Sequence, residues 1–114
     1  MTKRGKQVTF DEYQTNAQRT SPAGHDRVLN GVMGLNGEAG ECIDIVKKAM
    51  FQGHELDREK LIYEGSDCLW YLAELATGLG ISLDEMAARN IAKLRVRYPD
   101  GFDAERSINR KDDK

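Results

Sequence analysis

Four acidic residues stand in two pairs, one in Glu38-Ala39-Gly40-Glu41 and one in Glu64-Gly65-Ser66-Asp67. A three-residue spacing puts both acids of a pair on one face of a helix, with Cβ atoms roughly 5–6 Å apart. Their neighbours are apolar: Ile43, Ile45, Val46, Ala49 and Met50 follow the first pair, and Leu61, Ile62, Leu69, Leu72 and Leu75 surround the second. Acids among core-forming residues do not read as a solvated face. Like charges held close in a partly buried place must take up protons or find cations. A hard divalent cation answers that need, and Mg²⁺ prefers a few carboxylates plus water and substrate phosphate. The pairs therefore predict a carboxylate metal site between two helices.

Two further sets share helical faces. Glu64, Asp67, Tyr71 and Glu74 fall at i, i+3, i+7 and i+10, a polar stripe on an otherwise apolar cylinder. Asn90, Lys93 and Arg97 fall at i, i+3 and i+7. Two acidic helices beside one offering an amide and two cations point to a metal-bound polyphosphate, with Lys93 and Arg97 meeting the oxygens the metal leaves free. Alone, Lys93 and Arg97 read as an ordinary basic face near a helix C-terminus. The paired acids are the more specific signal.

The elements that must position these residues are all helical. Thr9-Phe10-Asp11-Glu12 reads as a capping box, opening a short amphipathic helix through Tyr13 and Ala17 to about Arg19. Ser21-Pro22-Ala23-Gly24 is a turn. A second helix is expected from about His25-Asp26 to about Gln52, stopped by Gly53. Asp57 is a good N-cap for a third, ending at Gly78 or Gly80. Ser82-Leu83-Asp84-Glu85 opens a fourth, which Pro99 ends. The second helix carries Gly31, Gly34, Gly37 and Gly40, each costing about 1 kcal/mol against Ala. A compensating gain is expected, either close helix packing, a local break, or approach of a helix or substrate to the backbone beside Glu38 and Glu41. No strand pattern or internal repeat appears, so the expected fold class is all-α. Its parts are a basic tail over 1–8, a helical domain over 9–102 and a charged tail over 103–114.

Composition narrows the function classes. The 114 residues carry a net charge of -2 with a pI near 5.7, which argues against a general binder of nucleic-acid polymers. No apolar run approaches the roughly 20 residues that span a bilayer, and the basic start has no apolar segment behind it. Cys42 and Cys68 are too few for a disulfide framework and read as free buried thiols, so a cytoplasmic protein is expected. Helices apolar on more than one side, in so short a chain, predict a homo-oligomer.

Glu38-x-x-Glu41 followed by Glu64-x-x-Asp67 resembles the ExxE…ExxD signature of MazG-like all-α nucleoside triphosphate pyrophosphohydrolases. Asn90-Ile91-Ala92-Lys93-Leu94 and Arg97-Tyr98-Pro99-Asp100-Gly101-Phe102 are similar to the segment that closes many short members, so the likeness covers about Phe10 to Arg110. It implies a bundle of four to five helices assembling as a dimer or tetramer. It also implies cleavage of a nucleoside triphosphate between the α and β phosphates, giving a monophosphate and pyrophosphate, with Mg²⁺ or Mn²⁺. Glu38, Glu41, Glu64 and Asp67 would be metal ligands and catalytic, with Lys93 catalytic beside them. Asn90 and Lys93 would contact sugar or phosphate, joined by Arg97 from the helical-face reading above, with Tyr71 and Trp70 candidates for the nucleoside pocket. Consecutive helical residues point about 100° apart, so Tyr71 is expected beside the sugar and Trp70 in the core or at a subunit contact.

One departure stands out. Many members have a glutamate immediately before the first motif acid, and this chain has Gly37. Either another acid activates water or metal coordination lowers the water's pKa enough alone. Two other readings share the scaffold: a non-catalytic nucleotide-binding or assembly protein, and a phosphoribosyl-ATP pyrophosphohydrolase-like enzyme. A di-iron bundle needs Glu-x-x-His pairs, and neither His25 nor His54 follows a motif acid at that spacing. Zinc ligation by Cys42, Cys68, His25 and His54 lacks close ligand spacing.

Overall fold

The structure is a computed structural model that describes residues 7–110. Most of the basic tail expected over residues 1–8 lies outside them, as do residues 111–114. Five helices are described: α1 (Phe10–Gln18), α2 (Arg27–Phe51), α3 (Arg58–Leu79), α4 (Leu83–Arg97) and α5 (Ala104–Ile108). There is no strand among the described residues, and the all-α expectation holds. None of these helices is long and apolar enough to cross a membrane.

Each helix start has a local cause. Thr9 and Glu12 form a reciprocal capping box at α1, while Asp26 and Asp57 accept the Leu29 and Lys60 N–H groups at the starts of α2 and α3. α3 stops where Gly80 takes the left-handed conformation (φ 78°) and the Ile81 N–H turns back to the Ala76 carbonyl.

The chain divides into two compact units, Met1–Leu83 and Asp84–Lys114. In the first, α2 and α3 form a long hairpin and α1 packs on α3. Its buried apolar residues are three alanines, Ala17, Ala73 and Ala76, with Ile45 and Leu83. Small side chains let backbones approach. A Cβ built on Gly31 would lie 2.9 Å from the Leu75 Cβ, and one on Gly34 would overlap the Tyr71 ring. Close packing thus accounts for the first two glycines of α2. Gly37 and Gly40 face open space.

Gln14 ties α1 to the end of α3. Its amide donates to the Thr77 hydroxyl (3.0 Å) and the Ile81 carbonyl (3.1 Å), and its oxygen accepts the Leu83 N–H (2.7 Å). In the second unit, Asp103 caps α5, a short helix within the stretch read as a charged tail. The Arg106 guanidinium holds it to the last turn of α4 through the Arg97 carbonyl (2.8 Å).

Candidate metal centre

Glu38 on α2 and Glu64 and Asp67 on α3 bring one carboxylate oxygen each to within 4.8 Å of one another. The hairpin produces this. Gly34 rests on Tyr71 and Gly31 on Leu75, so the antiparallel register carries Glu38, one turn past Gly34, to the level of Glu64 and Asp67. Glu38 and Glu64 are half-buried and Asp67 is exposed. Glu41 is exposed on α2 and is not one of the three convergent acids, though its charge acts on Glu38.

The electrostatics fit a cation. A hydrogen bond to Glu64 raises the Glu38 carboxyl above its ordinary range, and burial and the charges of Asp67, Glu64 and Glu41 push the same way. Carboxylates crowded in this way disfavour their own ionisation, a cost that a divalent cation among them would relieve. Three oxygen donors at this spacing, one open to solvent, suit a hard ion that keeps some water. Cys42 and Cys68 are free and half-buried beside the acids. Burial pushes the Cys68 thiol up, and Cys42, Glu38 and Asp67 add to it.

Glu74, the last member of the polar stripe, is not at this centre. It is fully buried and takes hydrogen bonds from Ser21 (2.8 Å), Asn30 (2.9 Å) and the His25 imidazole (2.6 Å), with the Arg27 guanidinium at 3.7 Å. Burial alone would raise its carboxyl, but the His25, Asn30, Ser21 and Gln18 side chains outweigh that and hold it below the usual range. Glu74 pins the α1–α2 turn to α3. Helical spacing placed it on the stripe but could not show which loop would cover it.

The aromatic residues divide their work. Trp70 donates its indole N–H to the Ala17 carbonyl (3.2 Å) and the Thr20 hydroxyl (3.0 Å), and meets Tyr71 edge to face with centroids 5.0 Å apart. Tyr71, one turn beyond Asp67, packs on Gly34. Tyr13 of α1 was not among the predicted site residues, yet the Asp67 charge reaches its phenol. Its only signal in the sequence was the apolar face of a short helix. Asn90 and Lys93 are exposed on α4, and Arg97 is half-exposed at its end, all in the second unit.

The model of the MazG nucleotide pyrophosphohydrolase domain matches residues 28–102, a span that holds both acid pairs and Asn90, Lys93 and Arg97. The chain belongs to the MazG nucleotide pyrophosphohydrolase family. A relative, the Gene 37 protein of Mycobacterium phage L5, is 38% identical over 73 residues, which cover 60% of this chain and 64% of that protein. The chain thus spans about two-thirds of this curated relative, just under that share at 64%. No solved structure matches the chain. α1 precedes the MazG match, so Tyr13 and the Thr9 capping box lie outside the family segment.

Proposed function

We propose that this MazG-family chain is a metal-dependent nucleoside triphosphate pyrophosphohydrolase, converting a (deoxy)nucleoside triphosphate to the monophosphate and pyrophosphate. The observation that carries this reading is the convergence of Glu38, Glu64 and Asp67, whose crowding raises the Glu38 carboxyl above its ordinary range. Those three residues would hold Mg²⁺, with Mn²⁺ as a substitute, and Glu41 would join from the α2 side or through water. A bound ion would neutralise phosphate oxygens and lower the pKa of bound water. Asn90, Lys93 and Arg97 are assigned to sugar and phosphate on their motif alone, with Lys93 meeting the leaving pyrophosphate. Tyr71, beside Asp67, is assigned to the sugar. Trp70 spends its indole N–H inside the protein, which favours a packing role over a base contact.

The oligomer belongs to the same proposal. Leu29, Val32, Met33, Ile43, Met50 and Phe51 are exposed. On a helix of 3.6 residues per turn they fall within an arc of roughly 100°, opposite the face that carries Gly31, Glu38 and Ile45. Gly40 lies in the same arc and leaves it low enough for another helix to approach. A second copy of this chain, laid along α2, would cover it.

The test is a screen of the common ribo- and deoxynucleoside triphosphates with Mg²⁺, identifying the phosphate product. Pyrophosphate release that needs the metal and is lost on Asp67→Ala supports the reading. Binding without turnover across the screen would favour a non-catalytic nucleotide-binding protein, and cleavage of phosphoribosyl-ATP alone would favour the related enzyme class.

A further inference from the structure

We propose that the hydrogen bond between Asn30 and Glu74 selects the register of the α2–α3 hairpin, and with it whether Glu38 or Glu41 enters the carboxylate centre. The consequence for the centre rests on the metal-site reading, while the register itself does not.

α2 repeats itself every three residues along its packed stretch. Glycine stands at 31, 34, 37 and 40, and glutamate at 38 and 41. A screw of α2 by about 4.5 Å and about 60° moves each residue into the place of the one three positions before it. Gly34 would then lie on Leu75 and Gly37 under the Tyr71 ring, where Gly31 and Gly34 now sit. Both new occupants lack a Cβ, so the close approach of the helices survives the move. Gly37 meets no neighbour within 4 Å in the present register, so nothing packed on it resists. Glu41 would stand where Glu38 now meets Glu64 and Asp67. The glycine contacts alone thus admit two registers, with a different acid at the centre in each.

Asn30 breaks the tie. Its amide on α2 donates to the Glu74 carboxylate on α3 (2.9 Å), one residue from the Gly31–Leu75 contact on either helix. Glu74 is fully buried, so each donor it has matters. In the shifted register Met33 would take the place of Asn30, and a thioether has no hydrogen to donate. Asn30 would take the place of Arg27, whose far longer side chain stands 3.7 Å from the carboxylate. A buried charge that loses a donor bears a desolvation cost that water cannot relieve. Ile45, the buried side chain in the second half of α2, would give way to Lys48. A lysine stem can cover the same surface with its amine in water. The amide has no such substitute.

The test follows the Tyr71 ring by NMR in the metal-free full chain. The wild type should show NOEs from the ring protons to the Gly34 α-protons and not to those of Gly37. Asn30→Leu leaves both registers without the amide, and should show the two sets side by side. Gln14→Ala loosens α1 from α3 without touching the hairpin pair, and should lower stability yet keep the wild-type pattern. Mn²⁺ affinity is the second readout. In the wild type Glu38→Gln should cost about tenfold more affinity than Glu41→Gln, and in the Asn30→Leu background the two losses should come within about threefold. A folded Asn30→Leu with Gly34 contacts alone would overturn the proposal, as would an unchanged ratio of the two losses. Mixed contacts in Gln14→Ala would overturn it as well, by tracing them to lost stability. Asn30→Ala takes the place of Asn30→Leu if that variant does not fold, and failure of both would assign the pair to stability and overturn the proposal. A wild type that binds no Mn²⁺, with both NOE sets still present in Asn30→Leu, would sink the metal-site reading and leave the register inference standing.

Discussion

Glu38 and Glu74 are two glutamates on one hairpin that titrate in opposite senses. Glu38 sits above its ordinary 4.5 because a hydrogen bond to Glu64, burial and the charges of Asp67, Glu64 and Glu41 all disfavour its carboxylate. The folded state therefore holds its proton more tightly than the unfolded chain. Metal-free protein should gain stability as pH falls through the raised value, and added Mg²⁺ or Mn²⁺ should stabilise less over the same window. Glu38→Gln should abolish that gain in thermal melts; an unchanged profile would show that Glu38 is not the group responsible. Glu74 sits below 4.5 because its donors outweigh its burial. Its contribution is present above the unfolded pKa and is lost as pH falls through the lower, folded value. Glu74→Ala strands the His25, Asn30 and Ser21 donors and should cost roughly 2–4 kcal/mol, read as a lower denaturant midpoint. Lys93→Ala, if Lys93 meets the leaving group, should cut kcat/KM by about a hundredfold while metal binding survives. A drop below about threefold would take Lys93 out of the reaction.

α2 is the element on which packing and chemistry compete for space. Its glycines advance around the helix, so their costs and uses differ. Gly31 lies under Leu75 and Gly34 under the Tyr71 ring, where any Cβ would force the helices apart. Gly34→Ala should destabilise by about 1–3 kcal/mol, the usual cost of overpacking, and should weaken metal binding by shifting Glu38 from Glu64. Gly37→Ala meets no neighbour and removes only backbone freedom, so it should stabilise by up to about 1 kcal/mol. Paired denaturant titrations check the contrast in sign. Two mutants that stabilise equally would mean that helix propensity, not the hairpin contact, sets the outcome. The glycine spacing was legible from the chain, but which glycine met which neighbour depended on the register of α3.

Across the whole molecule, the fully buried apolar positions of α3 are alanines, while larger side chains on α2 such as Met33, Ile43, Met50 and Phe51 stand exposed. Burying apolar surface is the main driving force of folding, at about 25 cal/mol per Å². A stripe this long is therefore expected to be covered by a partner copy. Sedimentation should show a homo-oligomer at micromolar concentration, and Ile43→Asp should dissociate it and lower its melting temperature. A wild-type protein that sediments as a monomer would contradict the arrangement.

The sequence by itself determined what local rules govern. Thr9, Asp26 and Asp57 set the starts of α1, α2 and α3, Gly80 set the end of α3, and three-residue spacing put each acid pair on one helical face. Charge and the paired acids were enough to point to a cation between helices. Only the tertiary structure decided which acids meet, because that depends on how α2 slides along α3. In the register that seats Gly31 and Gly34 on α3, Glu38 meets Glu64 and Asp67 while Glu41 stays exposed. The same holds for α1. Its amphipathic pattern gave a helix, but the Gln14 and Trp70 hydrogen bonds, which join residues more than fifty positions apart, are what seat that helix on α3.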